Sequence, residues 1–228
     1  MFRRILFAAA LAGLIGGVFA TAAQSLRVIP IILEAETYET AAPAAHDHDV
    51  AATEPAGEAW APDDGVERTA FTLVTNVLAG IGFALLLAAG FALAGGADWR
   101  RGLYWGAAGF VAFTLAPAIG LPPEIPGSEA APLADRQLWW LGTVVATGAG
   151  LALIFLSRRA AWAALGVGLI VLPHLIGAPR PAAHGGLAPD SLARDFVVAA
   201  LVTSFLFWLV LGAFAGFFYK RLAAASLR

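Results

Sequence analysis

The sequence predicts an all-α fold: a polytopic membrane helix bundle of about six transmembrane helices, forming a single transmembrane domain over residues 1–228. Of the 228 residues 60% are hydrophobic and only 13% are charged, which leaves too little polar surface to cover a soluble domain of this size. Six apolar segments are each long enough to cross about 30 Å of hydrocarbon, which takes about 20 helical residues. These segments are 5–26, 70–94, 102–121, 137–157, 160–178 and 196–219.

Charged residues are divided unequally between the two sides that alternating helices would define. One side holds nine of the fourteen basic residues, whereas fifteen of the sixteen acidic residues, all but Asp98, and all four histidines fall on the other. Because short cytoplasmic loops are enriched in lysine and arginine, we expect both termini and the two short turns in the cytoplasm. The nine basic residues are Arg3, Arg4, Arg100, Arg101, Arg158, Arg159, Lys220, Arg221 and Arg228.

The first apolar segment has two interpretations. Two arginines, an apolar run and the sequence Ala-Thr-Ala at 20–22 resemble a cleavable signal peptide, whose removal would leave five helices in the same orientation. However, the apolar run over 5–23 is longer than the usual signal-peptide core of about 7 to 15 residues. Gly13 and Gly17 also have a spacing typical of helix packing. We therefore expect a retained helix.

Residues 27–69 form the long hydrophilic stretch of the chain, which we expect to be a periplasmic loop. Its first part carries Glu34, Glu36 and Glu39 close to the expected membrane surface. A helix over 31–40 would group Glu36 and Glu39 on one side, because residues three apart are neighbours on a helix. We interpret the three glutamates as candidate metal ligands.

The sequence His-Asp-His-Asp at 46–49 follows in an alanine-, proline- and glutamate-rich segment that we expect to be disordered. Neutral imidazole and carboxylate groups suit divalent first-row metals, so His46 and His48 are candidate ligands of a surface cation trap. The alternative is an acidic solvated linker in which the histidines are incidental. Both interpretations stay open.

Residues 115–140 contain a proline-rich loop between two apolar segments. Pro117 has no N–H to donate to the carbonyl of Phe113, so we expect a kinked helix with a free oxygen. The loop that follows holds Glu124, a candidate metal ligand. We expect Arg136, at the start of the next apolar segment, to pair with an acidic neighbour in the loop.

A second break is expected near the end of the fifth apolar segment. Pro173 frees the carbonyl of Leu169, and His174 lies beside this break within the last turn or so of the span. His174 is either a metal ligand or a side chain that bonds a neighbouring helix. The carboxylates on the same side of the membrane favour a cation site. His184 is either a further ligand or no more than a surface residue.

Three kinds of residue inside the spans are expected to be structural. Asn76 is the most polar residue well inside any span, and we expect it to form interhelical hydrogen bonds, with ion contact as the alternative. Trp139 and Trp140 are expected to anchor the fourth segment at the headgroup level. Several glycines have a spacing that permits close packing of helices and indicates no function. They are Gly102, Gly106, Gly109, Gly212 and Gly216.

Several function classes are excluded by what the sequence lacks. There is no cysteine, so disulfides and iron–sulfur ligation are excluded and any metal chemistry must use nitrogen and oxygen ligands. No G-x-x-x-x-G-K-[ST] motif occurs, which excludes ATP hydrolysis by a P-loop in this chain. No Asp, Glu, Lys or Arg lies in the middle of a span, which removes the usual signature of a proton relay. Few polar side chains inside the spans could line an ion pathway. This indicates that the chain functions with a partner or forms its pathway at a subunit interface.

Five sequence motifs together resemble those of one family. They are FRRILFAAALAGLIGG, EAETYE, LAPAIGLPPEIPG, RQLWWLGT and LPHLIGAP. By the order and spacing of these motifs the match covers essentially the whole chain. The chain resembles the CbtA family of predicted cobalt transporter subunits. The resemblance implies a bacterial inner-membrane protein of five to six helices that serves cobalt supply for cobalamin synthesis. It also implies a small companion, CbtB, with one helix and a histidine-bearing tail. The family motifs fall on Glu34, Glu36, Glu39, Glu124, Arg136, Gln137 and His174.

The residues and the resemblance together favour a subunit of a Co²⁺ uptake transporter, whose outer-face carboxylates and His174 admit the ion. Co²⁺ is then the transported ion and no tightly bound cofactor is expected; Ni²⁺, which generally binds such ligands more tightly, is not excluded. We expect contact with membrane lipid, CbtB as companion subunit, a homo-oligomer as a further option, no nucleic-acid partner and no enzyme activity. Two alternatives are a non-transporting scaffold or assembly subunit, and an intramembrane metalloenzyme.

Overall fold

The protein is a bundle of α-helices, seen in a computed structural model that describes residues 2–41, 62–63, 65–157, 159–181 and 185–225. Among these residues there is no strand beyond one isolated antiparallel bridge, between Ser128 and Gly186. In chain order the elements are α1 (Phe2–Arg27), α2 (Ile29–Ala41), α3 (Val66–Leu93), α4 (Trp99–Phe110), a π-helical turn (Val111–Leu115), α5 (Ala116–Gly120), α6 (Leu133–Leu156), α7 (Ala160–Ile176) and α8 (Asp190–Ala225).

The predicted polytopic helix bundle is confirmed in the described part of the chain, where five helical stretches are long and apolar enough to cross a membrane. They are Arg3–Arg27, Val66–Leu93, Trp99–Gly120, Leu133–Leu156 and Asp190–Ala223. The sixth predicted span, 160–178, is shorter than expected: α7 has 17 residues, a length of about 25 Å. It ends early because Gly177 adopts a positive φ of 88°, which no right-handed helix continues.

Helices α4 and α8 pack backbone against backbone. A Cβ atom at Gly102 would overlap the carbonyl of Gly212, and one at Gly106 would overlap the carbonyl of Trp208. Gly216 meets the backbone of Asp98 and Gly102 in the same way. The predicted role of the glycine spacing is therefore confirmed, because any side chain at these positions would hold the two helices apart.

Helix α1 packs against α3 and α8. Gly13 meets the backbone of Ile81, and Gly17 meets the backbone of Val77. Ala12 of α1 is fully buried in the main apolar core, which also holds residues of α3 and α8. Retention of this first segment stays a prediction, and its removal would uncover these faces of α3 and α8.

The third membrane-length stretch contains the predicted interruption, one turn before the proline. Over Val111–Leu115 the backbone forms a π turn, in which the N–H of Ala116 donates to the carbonyl of Val111, five residues back. Pro117 then lies in the first turn of α5, and because the π turn runs directly into α5, its missing N–H leaves the preceding turn short of one backbone donor. The short helix α5 ends at Gly120, and the loop 121–132 follows.

Polar contacts place the start of α1 and the end of α8 at the same end of the bundle. The Arg4 Nη2 donates to the hydroxyl of Tyr219 at 2.9 Å, and the Lys220 Nζ lies 3.7 Å from the Asp98 Oδ2. We call this the basic end; it is defined by Arg4, Asp98, Arg100, Arg101, Lys220 and Arg221. We call the opposite end, defined by α2 and the loop 121–132, the acidic end.

Helices α6 and α7 form an antiparallel hairpin. Gly150 and Gly166 face each other so closely that a Cβ atom on either would approach the carbonyl of the other. Contacts with the π turn and with α5 join this hairpin to the rest of the bundle. The position of α5 therefore controls how the hairpin meets the bundle at the acidic end.

Gly106→Ala is expected to lower the thermal unfolding midpoint of the detergent-solubilised protein, because the added methyl group overlaps the Trp208 carbonyl. Overpacking of this kind costs about 1–3 kcal/mol. Gly142→Ala is the matched control: no atom lies within 4 Å of the Cβ position of Gly142, and alanine stabilises a helix by about 0.5–1 kcal/mol relative to glycine. Equal midpoints for the two variants would contradict the close approach of α4 and α8.

Candidate functional site

Helix α2 packs against α8 and the loop 121–132, and it includes the helix considered over 31–40. Ala35 is fully buried in a small apolar cluster with Ile125 of the following loop and Phe196 of α8. Because this cluster fixes the buried face of α2, it also fixes the directions in which the glutamates of α2 point.

Glu36 forms an ion pair with Arg68 at the start of α3. The Arg68 Nη2 lies 2.5 Å from the Glu36 Oε1, and the Arg68 Nη1 donates to the Glu36 Oε2 at 3.3 Å. Both carboxylate oxygens therefore accept from one guanidinium, the bidentate arrangement that arginine favours. This pair ties α2 to α3 at the membrane exit.

The two other glutamates of α2 are exposed and lie in different surroundings. Glu39 is close to the loop after α5, because a Cβ atom at Gly127 would lie 3.1 Å from the Glu39 Cγ. Glu34 is two residues before Glu36 and so falls on another face of the helix. The three predicted ligands of α2 thus do not converge on one point.

Glu124 is held by Arg136, as predicted for this arginine. The Arg136 Nη2 donates to the Glu124 Oε2 at 2.7 Å. The two side chains are 31% and 28% exposed, so water screens the pair and its contribution to stability is only about 0–1 kcal/mol. The pair can therefore open at little cost in free energy.

His174 lies near the end of α7 against Trp139 of α6. The two ring centroids are 6.0 Å apart with an interplanar angle of 67°, an edge-to-face contact. The Nε2 of His174 is buried and has no hydrogen-bond partner. The indole N–H of Trp139 donates to the carbonyl of Pro173 at 3.3 Å. This adds a packing role to the headgroup anchoring predicted for Trp139.

Glu124 and His174 each contact a side chain on one face of α6, Arg136 and Trp139 respectively. Arg136 and Trp139 are three residues apart, so they are neighbours on the helix surface, about 4.5 Å apart along its axis. Gly120 lies so close to the Trp139 ring that a Cβ atom there would overlap it. The ends of α5 and α7 therefore meet at the start of α6. We call this cluster of Gly120, Glu124, Arg136, Trp139 and His174 the Trp139 junction.

The predicted ligands do not form a complete metal site in the part of the chain that the structure describes. Among those residues no three His, Cys, Asp or Glu side chains form a group that could hold a metal ion. His46, His48 and His184 lie outside the described residues, as does 42–61, which holds most of the predicted disordered segment. The single outer-face cation site therefore stays a prediction.

Several polar residues inside the spans bond to one another across helices, whereas the hydroxyl of Thr147 is buried without a hydrogen-bond partner. The Asn76 Nδ2 donates to the Thr21 Oγ1 at 3.0 Å and to the Gln24 Oε1 at 2.7 Å, which confirms its predicted interhelical hydrogen bonding. Thr114 in the π turn and Ser204 of α8 share a hydrogen bond of 3.0 Å. These groups are therefore engaged in joining helices.

Two residues of the acidic end were not singled out for these roles from the sequence. Arg68, the partner of Glu36, carried a usable signal: it is the single basic residue between Arg27 and Arg100. The contact between Trp139 and His174 carried none, because it depends on how α6 and α7 pack.

These features define a multi-pass α-helical membrane protein with opposite charge at its two ends. The family model described as "Probable cobalt transporter subunit (CbtA)" matches residues 2–220. The chain belongs to the CbtA family, so the resemblance seen in the sequence is confirmed, and the family description is that of a subunit in cobalt transport. Searches of curated proteins and of solved structures gave no match.

Trp139→Phe and Trp139→Ala are expected to separate the two roles of this side chain. Phenylalanine keeps an apolar ring against His174 and loses only the bond to the Pro173 carbonyl, a change of about 0.5–1.5 kcal/mol. Alanine also removes the ring between α5 and α7, so it should lower the thermal midpoint further. Trp162→Phe, at an exposed position of α7, is the control. Equal midpoints for the two Trp139 variants would show that the ring does not join these helices.

Proposed function

We propose that this chain is the membrane subunit of a Co²⁺ uptake system in a bacterial inner membrane. In this proposal the basic end and both termini lie in the cytoplasm, and the acidic end, with the loop 27–69, lies in the periplasm. Membership of the CbtA family supports cobalt as the cargo. The distribution of basic residues supports the orientation.

The observation that carries the proposal is the free ring nitrogen of His174. Its Nε2 is buried without a hydrogen-bond partner, in a membrane protein whose family description names cobalt. A neutral imidazole nitrogen is a good ligand for Co²⁺, and carboxylate oxygen can complete the coordination. Glu124 is the carboxylate of the Trp139 junction, and we assign it as the second ligand.

Arg136 acts in this proposal as a stand-in for the cation. While no ion is bound, its guanidinium neutralises Glu124, and an arriving divalent cation displaces it. The displacement costs little free energy because the ion pair is partly exposed to water. The carboxylates of the acidic end raise the local concentration of cations before this exchange.

The remaining predicted ligands act in capture outside the membrane. Glu34, Glu36, Glu39, His46 and His48 belong to the loop before α3, and in this proposal they collect the ion and pass it to the Trp139 junction. The small companion CbtB, with its histidine-bearing tail, or a second copy of this chain supplies the ligands that are missing from the described residues.

The membrane potential can drive such a movement without a nucleotide. Moving one elementary charge across the membrane is worth about 2.3 kcal/mol per 100 mV, so an inward divalent cation gains about 4.6 kcal/mol. A channel-like or potential-driven route therefore suffices in energetic terms. Ni²⁺ accepts the same ligands, so selectivity would depend on geometry.

The second candidate function is that of a non-transporting scaffold or assembly subunit. Two observations favour it: the described residues hold no three-ligand group, and both Glu36 and Glu124 are paired with arginine. The scaffold function predicts that CbtB alone transports the metal. Uptake that requires this chain and depends on His174 would exclude the scaffold function.

His174→Ala and Glu124→Gln are expected to lower Co²⁺ accumulation by about tenfold or more, because each removes a ligand. The measurement is elemental analysis of cells that lack their own cobalt uptake and express this chain with CbtB, supplied with Co²⁺, Ni²⁺ or Zn²⁺. Glu129→Gln is the matched control, an exposed carboxylate in the same loop as Glu124. Unchanged uptake in His174→Ala, with the variant present in the membrane, would place the site elsewhere.

Arg136→Gln is expected to act oppositely to Glu124→Gln. It frees the Glu124 carboxylate, so the Co²⁺ concentration that gives half-maximal uptake should fall, whereas Glu124→Gln should raise it. A purely structural ion pair would make both variants shift this concentration in the same direction, since each breaks the same contact. The direction of the shift therefore separates a ligand from a structural partner.

A further inference from the structure

Two adjoining cavities open at the basic end, where the start of α1, the turn before α4 and the end of α8 meet. Their volumes are about 460 and 560 Å³, within the range of small-molecule pockets, about 300–1,000 Å³. Asp98 and Lys220 line both cavities. The first is also lined by Trp99, Arg100, Phe217 and Arg221, and the second by Arg4, Arg101 and Tyr219.

The cavities carry an excess of positive charge. Five cationic side chains face a single carboxylate, that of Asp98. The Asp98 Oδ1 accepts the backbone N–H groups of Arg100 and Arg101, each at 3.1 Å. The bond from Arg101, together with the charge of Lys220, lowers the pKa of the Asp98 carboxyl, so it stays ionised and neutralises one cation. The other cations are available to an anionic ligand.

Arg4 is held in place by Tyr219, and one of its donors is buried without a partner. Its guanidinium lies over the ring of Tyr219, 4.4 Å from the centroid, and its Nη2 donates to the Tyr219 hydroxyl at 2.9 Å. Its Nε is buried and has no hydrogen-bond partner. An arginine fixed in this way, beside further cations, has the geometry that binds phosphate oxygens.

The cavities lie at the level of lipid headgroups. Asp98 and Trp99 stand at the start of one membrane-length stretch, and Lys220 is near the end of another. Trp99 is exposed, with the Arg100 guanidinium 5.3 Å from its ring centroid, and such aromatic side chains favour the interface. From the first cavity, Phe217 and Phe214 continue an exposed apolar face along α8 toward the hydrocarbon region.

We propose that these cavities bind the phosphate headgroup of an anionic phospholipid, with an acyl chain along the Phe217 face of α8. Arg4 and Arg101 bind the phosphate, while Lys220, which Asp98 already pairs, lies beside them. The exposed apolar face next to the cations favours a lipid over a free phosphate ion, because a phosphate ion has no apolar part that could contact this face. Basic pockets between membrane helices recognise lipid headgroups in this way. The proposal does not depend on the metal pathway proposed above.

The test uses the full chain in detergent micelles and titrates three probes. These are dioleoylphosphatidylglycerol, the zwitterionic dioleoylphosphatidylcholine and inorganic phosphate. Binding is followed by native mass spectrometry and by the thermal unfolding midpoint. We expect binding and a rising midpoint with phosphatidylglycerol alone. An equal response to phosphatidylcholine would overturn the recognition of anionic headgroups, and an equal response to inorganic phosphate would identify a free-anion site instead.

Substitutions then locate the site. Arg101→Gln and Arg4→Gln should each weaken phosphatidylglycerol binding about fivefold, the change expected when one cation at an anionic surface is lost. Arg101→Gln is the decisive variant, because Arg4→Gln also loses the contact with Tyr219. Arg159→Gln, in the turn before α7, is the matched control at the same end of the bundle. A similar loss in the control would indicate general electrostatic attraction and overturn the proposal.

Asp98→Asn changes the affinity in the opposite direction. Asparagine is as good an N-cap as aspartate, so the start of α4 should be preserved while the one opposing carboxylate disappears. Phosphatidylglycerol should then bind about fivefold more tightly than it binds the unmodified chain. Unchanged or weaker binding in a folded Asp98→Asn variant would contradict a phosphate among these cations.

Discussion

The contact of helix backbones at glycine is the constraint on which the rest of the structure depends. In a bilayer the lipid tails are as apolar as the side chains, so close packing rather than hydrophobic burial joins the helices. Gly102 and Gly212 bring α4 and α8 together with no side chain between them. Gly216 meets the backbone of Asp98, and Lys220 lies one turn later on the same face of α8. The charges of the basic end are therefore positioned by contacts that carry no charge.

The two ends of the bundle satisfy their charges differently. At the acidic end, Glu36 and Glu124 are each matched by one arginine, from a neighbouring helix or from the helix that follows. At the basic end, Asp98 faces several cations and leaves most of them unmatched. Matched, partly exposed pairs can exchange one cation for another at little cost, whereas an unmatched cluster attracts an anion. In the functions proposed above, the same chain thus presents a site for cation exchange at one end and a site for an anion at the other.

Properties that depend on local sequence could be predicted, and those that depend on packing could not. Apolar length and charge asymmetry indicated the bundle and the shared end of its first and last helices, and the polarity of Asn76 inside a span indicated its interhelical hydrogen bonds. The early end of α7 and the π turn were missed, because a proline indicates a break but not how the backbone absorbs it. At the site, Arg136 was predicted from its neighbours along the chain. The contact of Trp139 with His174 was not, since it exists only once α6 and α7 are paired.

The π turn before Pro117 rotates the rest of the third membrane-length stretch about the helix axis. It holds one residue more than an α turn, so everything after it is rotated by about 100° relative to an uninterrupted helix. The rotated part is α5, which faces Trp139 through Gly120 and leads into the loop that brings Glu124 to Arg136. An unbroken helix of the same sequence would release that loop from another side. One extra residue in the middle of the bundle thus determines which polar side chains meet at its surface.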